Sequence, residues 1–407
     1  MDFGLSYTEE QEDFREEVRS WIEKNIDEDM KMPMAPKDAS KDMYWYWRNK
    51  HKDLAKKGWL FPTYPKEYGG GGLTGDHETI IEEEFAKANA PRGFSSGTVL
   101  ATLMVWGTEE QKQQFLKPLL TGDKVTWNKL TEPKGGADVA NYQGRAVRDG
   151  DDWLLTGSQV FIGDDEDAEI MGGPMLTDPD APRHRNLGYF IIDIPSEGLE
   201  IKELDLLVRR RKRAIFMDNV RVSGDHLIGG DHQGWQVVGT HLEIEHGGGG
   251  RAFPRDDAVD ELLSFIKETK HNGGTLGEDP VVQQLAMGAI AEAHVQVLLA
   301  KRTHWMYQNK QQIRHEGNLS NVHGRESGLR NAMRVREVMG PYAFLGTEEP
   351  IAPHGGNQEY RQRDAAGQRH AGGSTNIAKV ILARRIGISR TQERAAPTPS
   401  TATNQST

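Results

Sequence analysis

The segment NYQGRAVRDGDDWLLTGSQVFIG (residues 141–163) decides the fold, because it carries a strand pattern in the middle of an otherwise helical chain. Apolar and polar side chains alternate on both sides of Asp149-Gly150, and a short Asp-Gly turn between alternating segments predicts a β-hairpin. Further β-branched and aromatic segments follow, broken by turn residues about every 8–12 positions: NLGYFIIDI (186–194), LEIKELDLL (199–207) and AIFMDNVRVSG (214–224). We therefore predict a β-domain over residues 123–235.

Helical patterns lie on both sides of this β-domain. Apolar residues at helical spacing predict N-terminal helices at 8–26, 42–57, 75–89, 95–104 and 108–122. Gly58 follows a lysine-rich turn and is expected to end the second of them. Later patterns predict helices at 235–246, 256–270, 280–309, 326–340 and 376–386. The expected α+β fold has an N-terminal helical domain (1–122), the middle β-domain, a C-terminal helical domain (236–390) and a disordered polar tail (391–407).

Composition narrows the class of protein. The chain has 407 residues, a net charge of −11 and no cysteine, which argues against nucleic-acid binding and excludes disulfides, thiolate nucleophiles and iron–sulfur clusters. No apolar run of about 18 residues predicts a membrane span. The acidic N-terminal segment lacks the apolar core of a signal peptide, so we expect a cytoplasmic protein. HxxxH and HExxH spacings are absent from the sequence, so we predict no metal site.

Four motifs resemble the acyl-CoA dehydrogenase family when they are taken together and in order. LTEPKGGADVA (130–140) is similar to the family's LTEPxxGSD signature, and GSQVFIG (157–163) occupies the place of its GxKxWIT stretch. AIFMDNVRVSGDHLIGG (214–230) and RDAAGQRHAGGSTNIAKVILARRIG (363–387) resemble its later β-strand and its closing segment. The resemblance covers about residues 5–390 and fits the predicted order of helices, strands and helices.

The resemblance implies an activity and its cofactor. Members of this family bind FAD between the β-domain and the C-terminal helices, usually across a subunit interface of a tetramer. A glutamate removes the α-proton of an acyl-CoA thioester while hydride leaves the β-carbon for flavin N5, and an electron-transfer flavoprotein reoxidises the flavin. The base must be desolvated so that its pKa rises toward that of the thioester, while the cofactor performs the hydride chemistry.

Glu245 is the expected base. In many members the base lies in the closing segment, but here Gly372 stands at that position. Isovaleryl-type and long-chain-type members carry it in an earlier LxxER stretch, which Leu242 and Glu245 match, with His246 in place of arginine. Glu243 is the second choice, because a residue two positions away points to another face of a helix.

Four glycines (247–250) follow this candidate base, and two interpretations remain open. They end a helix, since each glycine costs a helix about 1 kcal/mol relative to alanine. Alternatively they leave room beside Glu245 for a bulky acyl group, branched or ring-bearing, which is the interpretation we favour.

The resemblance also implies residues that bind FAD and the acyl-CoA. Asn128, Leu130 and Thr131 would lie against the isoalloxazine, and Phe161 and Gly163 replace the family's Trp and Thr. The expected contacts elsewhere come from Gln283 (or its neighbour Gln284), Gly340, Ser374 and Asn376. The expected substrate contacts are Ala137, which replaces a serine, together with His246 and Gly372.

Two further segments have competing interpretations. The densest basic run is RRRKR (209–213). It is expected to be a solvated loop, and the alternative is an electrostatic guide for the coenzyme A phosphates or a subunit contact. The aromatic cluster DMYWYWRNK (42–50) is expected to pack within a helix rather than to form a site.

Two alternatives to a stand-alone dehydrogenase are kept open. Some members of the family pair as heterotetramers in which one chain has lost its base or its flavin contacts, and the substitutions at Gly372, Gly163 and His246 favour such a partner subunit. A flavin monooxygenase or oxidase on the same fold would consume oxygen instead of using an electron-transfer flavoprotein.

Overall fold

The computed structural model describes residues 7–163, 166–243, 257–370 and 373–389. Its N-terminal part is helical: α1 (Glu9–Asn25), α2 (Lys41–Lys57), α3 (Gly75–Lys87), α4 (Gly97–Trp106), α5 (Glu109–Gln111) and α6 (Lys117–Leu120). Thr8 and Thr108 start α1 and α5 with capping boxes, in which each threonine accepts a bond from the third residue of its helix. The segment predicted as one helix at 108–122 contains a π-helical turn at Lys112–Leu116 between α5 and α6.

The middle part is a single eight-stranded sheet. Its strands are β1 (Thr126–Asn128), β2 (Arg145–Asp149), β3 (Asp152–Ile162), β4 (Ile170–Leu176), β5 (Leu187–Asp193), β6 (Leu199–Leu204), β7 (Lys212–Ser223) and β8 (Leu227–Ile228). The strand order is β6-β7-β3-β2-β4-β5-β8, and β1 pairs with β4 in parallel. Asp149 pairs with Asp152 across the turn, so the predicted hairpin is confirmed.

The later part returns to helices. They are α7 (Gly234–Glu243), α8 (Asp257–Glu268), α9 (Pro280–Gln308), α10 (Glu316–Met339), α11 (Asn357–Gly367) and α12 (Thr375–Arg385), with a small hairpin of β9 (Lys270–His271) and β10 (Gly274–Thr275). The predicted order of a helical, a β and a second helical part is confirmed. Several details differ: α10 begins well before residue 326, and the predicted elements did not include β1, β4, β8, α11 or the small hairpin.

The largest apolar core joins all three parts of the chain. Val99 and Leu103 of α4, Ile170 and Tyr189 of the sheet, and Val237 of α7 belong to one cluster of buried side chains. The same cluster packs α4 and α7 onto the sheet and includes Trp127 of β1. Smaller cores hold the N-terminal helices together and the C-terminal helices together.

Two local predictions about the N-terminal helices are confirmed. Gly58 ends α2 in the left-handed conformation, with φ of 74°. Trp47 in the aromatic cluster is fully buried, and its Nε1 donates a 2.8 Å bond to the carbonyl oxygen of Met30.

No helix in the described ranges is both long and apolar enough to cross a bilayer. The predicted tail at 391–407 lies outside the described residues.

Candidate active site

The LTEP loop (residues 129–138) continues β1 and lies against the end of β3. The Val160 backbone N–H donates a 2.9 Å bond to the carbonyl oxygen of Thr131, so the two sequence motifs meet in space. Within the described ranges, the backbone N–H groups of Leu130 and Thr131 have no hydrogen-bond partner. Both residues are only half-buried, so these adjacent donors remain available to a ligand.

β3 bulges where it meets this loop. The pairing with β7 shifts register between Gln159 and Ile162, and Phe161 takes a left-handed φ of 62° with a ring that is 53% exposed. Such a conformation is unusual for a residue with a side chain and is typical of bulges that redirect a side chain beside a functional site. The bulge therefore presents an aromatic face next to the free N–H groups of the LTEP loop.

Gly163 has a steric explanation that the sequence did not show. Its φ is 68°, and a Cβ atom there would lie 2.8 Å from the indole ring of Trp127. The Trp127 ring thus occupies the space that a side chain at 163 would need. Arg213 stacks on the Trp127 ring at 4.4 Å, while the indole Nε1 is buried without a hydrogen-bond partner among the described residues.

Glu132, the glutamate of the LTEP motif, is a structural residue that sequence reasoning missed. Its buried carboxylate accepts 2.7 Å bonds from the backbone N–H groups of Gln143 and Gly144. These charge-assisted bonds fix the loop that follows Thr131. No local pattern marks this role, because the two donors lie 11 and 12 residues further along the chain.

Ala137 lies exposed near the end of the LTEP loop. The next residue, Asp138, forms an ion pair with Arg183, which lies on the loop between β4 and β5. The structure therefore brings a half-exposed guanidinium next to the position that the resemblance assigns to the thioester arm.

Helix α7 is attached to β1 by a buried histidine. His241 is fully buried, with its Nε2 3.5 Å from Asn128 Nδ2 and its Nδ1 3.3 Å from the Tyr189 hydroxyl. Val237 and Val238 lie on the same buried side of the helix. Glu243 is exposed, so the second-choice base lies away from Asn128. Glu245, His246 and the glycines at 247–250 lie outside the described residues.

The predicted cofactor residues of the C-terminal part lie on or beside α9, α10 and α12. Ser374 caps α12 by accepting a 3.3 Å bond from the Ile377 N–H, and Asn376 is exposed in its first turn. Gln283 donates a 2.9 Å bond to the carbonyl oxygen of Gly277, and Gly340 ends α10 with φ of 55°. Within the described part of the chain, no hydrogen bond joins these residues to the LTEP loop. Gly372 lies outside the described residues.

The arginine clamp (residues 209–213) is engaged within the chain, so the solvated loop expected for the basic run is wrong, while its other interpretations stay predictions. Arg209 pairs with Asp38, Arg210 pairs with Asp364 of α11 at 2.9 Å, and Arg211 pairs with Glu166. Arg211 also donates to backbone carbonyls near the start of α2. The guanidinium groups are therefore engaged within the chain, and the clamp ties the N-terminal helices, the sheet and α11 together.

Comparison with known proteins identifies the family. Residues 8–123 match the acyl-CoA dehydrogenase N-terminal domain, and residues 232–387 match the acyl-CoA dehydrogenase C-terminal domain. Together these matches span well over half of the chain. The chain belongs to the acyl-CoA dehydrogenase family. It is an oxidoreductase of this flavoprotein family, whose members use FAD to dehydrogenate acyl-CoA thioesters.

Relatives of this acyl-CoA dehydrogenase match along almost its whole length. Acyl-CoA dehydrogenase FadE26 of Mycobacterium tuberculosis is 26% identical over 389 residues, covering 93% of this chain and 96% of the relative. Glutaryl-CoA dehydrogenase of Desulfococcus multivorans is 26% identical, covering 94% of this chain and 97% of the relative. A chain of the crystallised ChsE4–ChsE5 complex from Mycobacterium tuberculosis superposes with a TM-score of 0.81 at 26% identity, covering 96% and 100% of the two chains.

The described residues of this acyl-CoA dehydrogenase fit a flavin. A flavin ring needs hydrogen-bond donors for its heteroatoms and an apolar face for stacking. The LTEP loop offers two unpartnered backbone donors at Leu130 and Thr131, and the bulge offers the exposed ring of Phe161. The two backbone donors and the aromatic ring therefore match what a flavin, the cofactor of the family, needs.

Proposed function

We propose that this chain dehydrogenates the Cα–Cβ bond of an acyl-CoA thioester with bound FAD, and that Glu245 removes the α-proton. FAD, when bound, supplies the acceptor for the hydride that leaves the β-carbon. The observation that carries the proposal is the pair of free backbone N–H groups at Leu130 and Thr131. They lie beside the exposed ring of Phe161 and just after Asn128 in the chain.

Asn128, Leu130 and Thr131 would hold the flavin, with Phe161 against one side of it. Gly163 has no side chain and cannot supply the hydroxyl that threonine supplies in the family. Trp127 fills the space that a side chain at this position would need. Asn376, with Gln283 and Gly340 from a neighbouring subunit, would complete the cofactor site. The hydroxyl of Ser374 already caps α12, which leaves its remaining lone pair for the cofactor.

The placement of α7 supports Glu245 as the base. His241 lies on the helix face that contacts Asn128, and a helical residue four positions later lies on the same face. Glu245 lies outside the described residues, and its assignment as the base rests on the resemblance and on this spacing. Glu243 is exposed on a different face. A base beside the acyl thioester would be desolvated, which raises the pKa of a glutamate toward that of an activated thioester.

The acyl group is proposed to be bulky. Glycines at 247–250 would give it space beside Glu245, and Ala137 in place of serine would widen the site near the thioester arm. Arg183, next to Ala137 through its pair with Asp138, is the cation proposed to attract coenzyme A phosphates. His246 would lie at the substrate site, and the glycine at 372 leaves no carboxylate at the alternative position of the base.

A second candidate function is that of one subunit in a heteromeric dehydrogenase. The relative of known structure named above comes from a complex of two different chains, ChsE4 and ChsE5. Large apolar side chains of the C-terminal helices are exposed here, among them Met287 and Leu298 of α9 and Met333 of α10. These side chains would be covered in a tetramer, whether it is formed by identical or different chains. In either assembly an electron-transfer flavoprotein is the proposed electron acceptor.

An anaerobic titration tests the proposal. The purified chain, reconstituted with FAD, is titrated with acyl-CoA thioesters from short branched to ring-bearing acyl groups while the visible flavin band is followed. We expect the band to bleach with one class of thioester, and the large thioesters to be the most effective. A chain that binds FAD and is bleached by none of them would contradict the proposed activity. A chain that binds FAD only with a second, different subunit would support the heteromeric function.

A further inference from the structure

Lys129 is a fully buried lysine inside the β-domain. Its Nζ donates a 2.9 Å bond to the carbonyl oxygen of Pro174 and lies 3.1 Å from Met175 Sδ. The ring centroid of Tyr142 is 5.3 Å away. No carboxylate among the described residues pairs with this ammonium group within salt-bridge distance. Lysine is seldom fully buried without such a partner, so the position calls for a functional explanation.

The lysine lies behind the strand that carries the proposed flavin contacts. Successive strand residues point to opposite faces, so Asn128 and Leu130 face one way and Lys129 faces the other. Gly173 of β4 makes room for it, since a Cβ atom there would lie 2.5 Å from Lys129 Cγ. The space for the lysine is therefore built where the end of β1 meets β4, and Lys129 points away from the face that carries the proposed flavin contacts.

The surroundings of Lys129 bring its pKa close to neutral pH. Burial lowers the pKa of Lys129 to about 7, while the negative charge of Glu132 opposes that change. The other described titratable group facing the lysine is Tyr142, and burial raises the pKa of its hydroxyl well above the ordinary value. Tyr142 therefore stays neutral in the range where Lys129 titrates. The lysine gains or loses its proton near neutral pH, and a small change in nearby charge shifts that equilibrium.

We propose that Lys129 is an electrostatic positioning residue for the flavin, which takes up a proton from solvent when negative charge develops across the strand. The proposal rests on the proposed function, because the flavin is the source of that charge. Oxidation of the substrate sends the α-proton to the base and two electrons with one proton, as hydride, to the flavin. The proton gained by Lys129 comes from water, and its amine becomes an ammonium with no covalent change. Lys129 is fully buried, and salt screens buried charges much less than exposed ones.

The pH dependence of the flavin midpoint potential tests this proposal. In the reconstituted chain, one additional proton taken up with two electrons makes the potential fall about 30 mV more steeply per pH unit. We expect this additional slope above about pH 7, where Lys129 is neutral before reduction. Lys129→Met should lose the additional slope, and the control Lys134→Met, an exposed lysine of the same loop, should keep it. Lys129→Gln serves the same purpose if the methionine variant does not fold.

The outcomes separate this proposal from the proposed function. A bound flavin whose potential has the same slope in the wild type and in Lys129→Met would overturn the role of Lys129 and leave the dehydrogenase proposal intact. Failure of the wild-type chain to bind FAD would overturn the proposed function and, with it, the role of Lys129.

The chain without flavin gives an independent measure of the buried lysine. Its pKa is lower in the folded chain than the ordinary 10.5, so the folded state carries the cost of a buried ammonium below about pH 7. That cost disappears as the pH rises from the folded to the unfolded pKa, and stability increases over this window. The denaturant midpoint of Lys129→Met should therefore exceed that of the wild type most at about pH 6 and least at about pH 10. An equal difference at both pH values would contradict a buried lysine that titrates near neutrality.

Discussion

The β-domain and the pair of long C-terminal helices α9 and α10 differ in where they place polar side chains. The sheet buries a dense apolar cluster that includes Ile170, Phe190 and Ile215. The contact between α9 and α10 combines apolar side chains, among them Ala289 and Val335, with polar pairs: Glu292 pairs with Arg330 at 2.8 Å, and Gln296 Nε2 donates a 3.0 Å bond to Ser320 Oγ.

Both helices also expose large apolar side chains to solvent. Met287 and Leu298, three helical turns apart on one face of α9, are each more than half exposed. The apolar side chains of the sheet are therefore buried within this chain, whereas the C-terminal helices expose apolar surface that another subunit would cover.

The largest effect is expected from overfilling the β-domain. Gly163→Thr would force a side chain into the Trp127 ring and into a left-handed backbone conformation. Overpacking of this kind costs about 1–3 kcal/mol, and the strained φ adds about 1 kcal/mol or more. We expect a loss of roughly 3 kcal/mol in the free energy of unfolding, measured by chemical denaturation, together with loss of FAD binding.

Trp127→Ala provides the matched background for that substitution. If the two side chains compete for one space, Gly163→Thr should cost less in the Trp127→Ala chain than in the wild type, by about 1–2 kcal/mol of coupling. Equal costs in the two backgrounds would show that Trp127 is not what excludes a side chain at 163.

A smaller effect on folding, but a clear effect on assembly, is expected at the C-terminal helices. Leu298→Glu places a charge on the exposed apolar face of α9 and should lower the oligomeric mass measured by analytical ultracentrifugation, with a change in unfolding free energy of less than about 0.5 kcal/mol. The control is Val147→Glu on the exposed side of β2, where the side chain is similarly accessible. That variant should keep the wild-type mass. Equal masses for all three chains would refute the assembly role of this face.

The sequence predicted the elements whose patterns are local. The Asp149-Gly150 turn, the left-handed Gly58 and the alternating strands all have a side-chain signal within a few residues. β4 was missed because IMGGPML is a central buried strand with no alternation, and its glycines and proline suggested a loop. α11 was missed because NQEYRQRDAAG is polar around its whole circumference, and Asp364 and Glu359 are instead paired with arginines.

Only the residues of the site that lie within a recognisable sequence motif were predictable from the sequence. The LTEP and VFIG motifs do meet, through Val160 and Thr131, and the resemblance anticipated that meeting. The buried Glu132, the buried Lys129 and the Trp127–Gly163 contact depend on residues distant in sequence, so no local pattern revealed them. The arginine clamp was misinterpreted for the same reason, because Asp38 and Asp364, the partners of Arg209 and Arg210, lie 171 and 154 residues away.

The measurement that tests the account most directly is the rate of flavin reduction by the best acyl-CoA substrate in Glu245→Gln, compared with Glu243→Gln. The base contributes roughly 10²–10⁴-fold to such a proton abstraction. We therefore expect Glu245→Gln to reduce its bound flavin at least about a hundredfold more slowly, and the exposed neighbour Glu243→Gln to stay within about twofold of the wild type. A Glu245→Gln chain that binds FAD and is reduced at the wild-type rate would contradict the proposed base and require another carboxylate at the site.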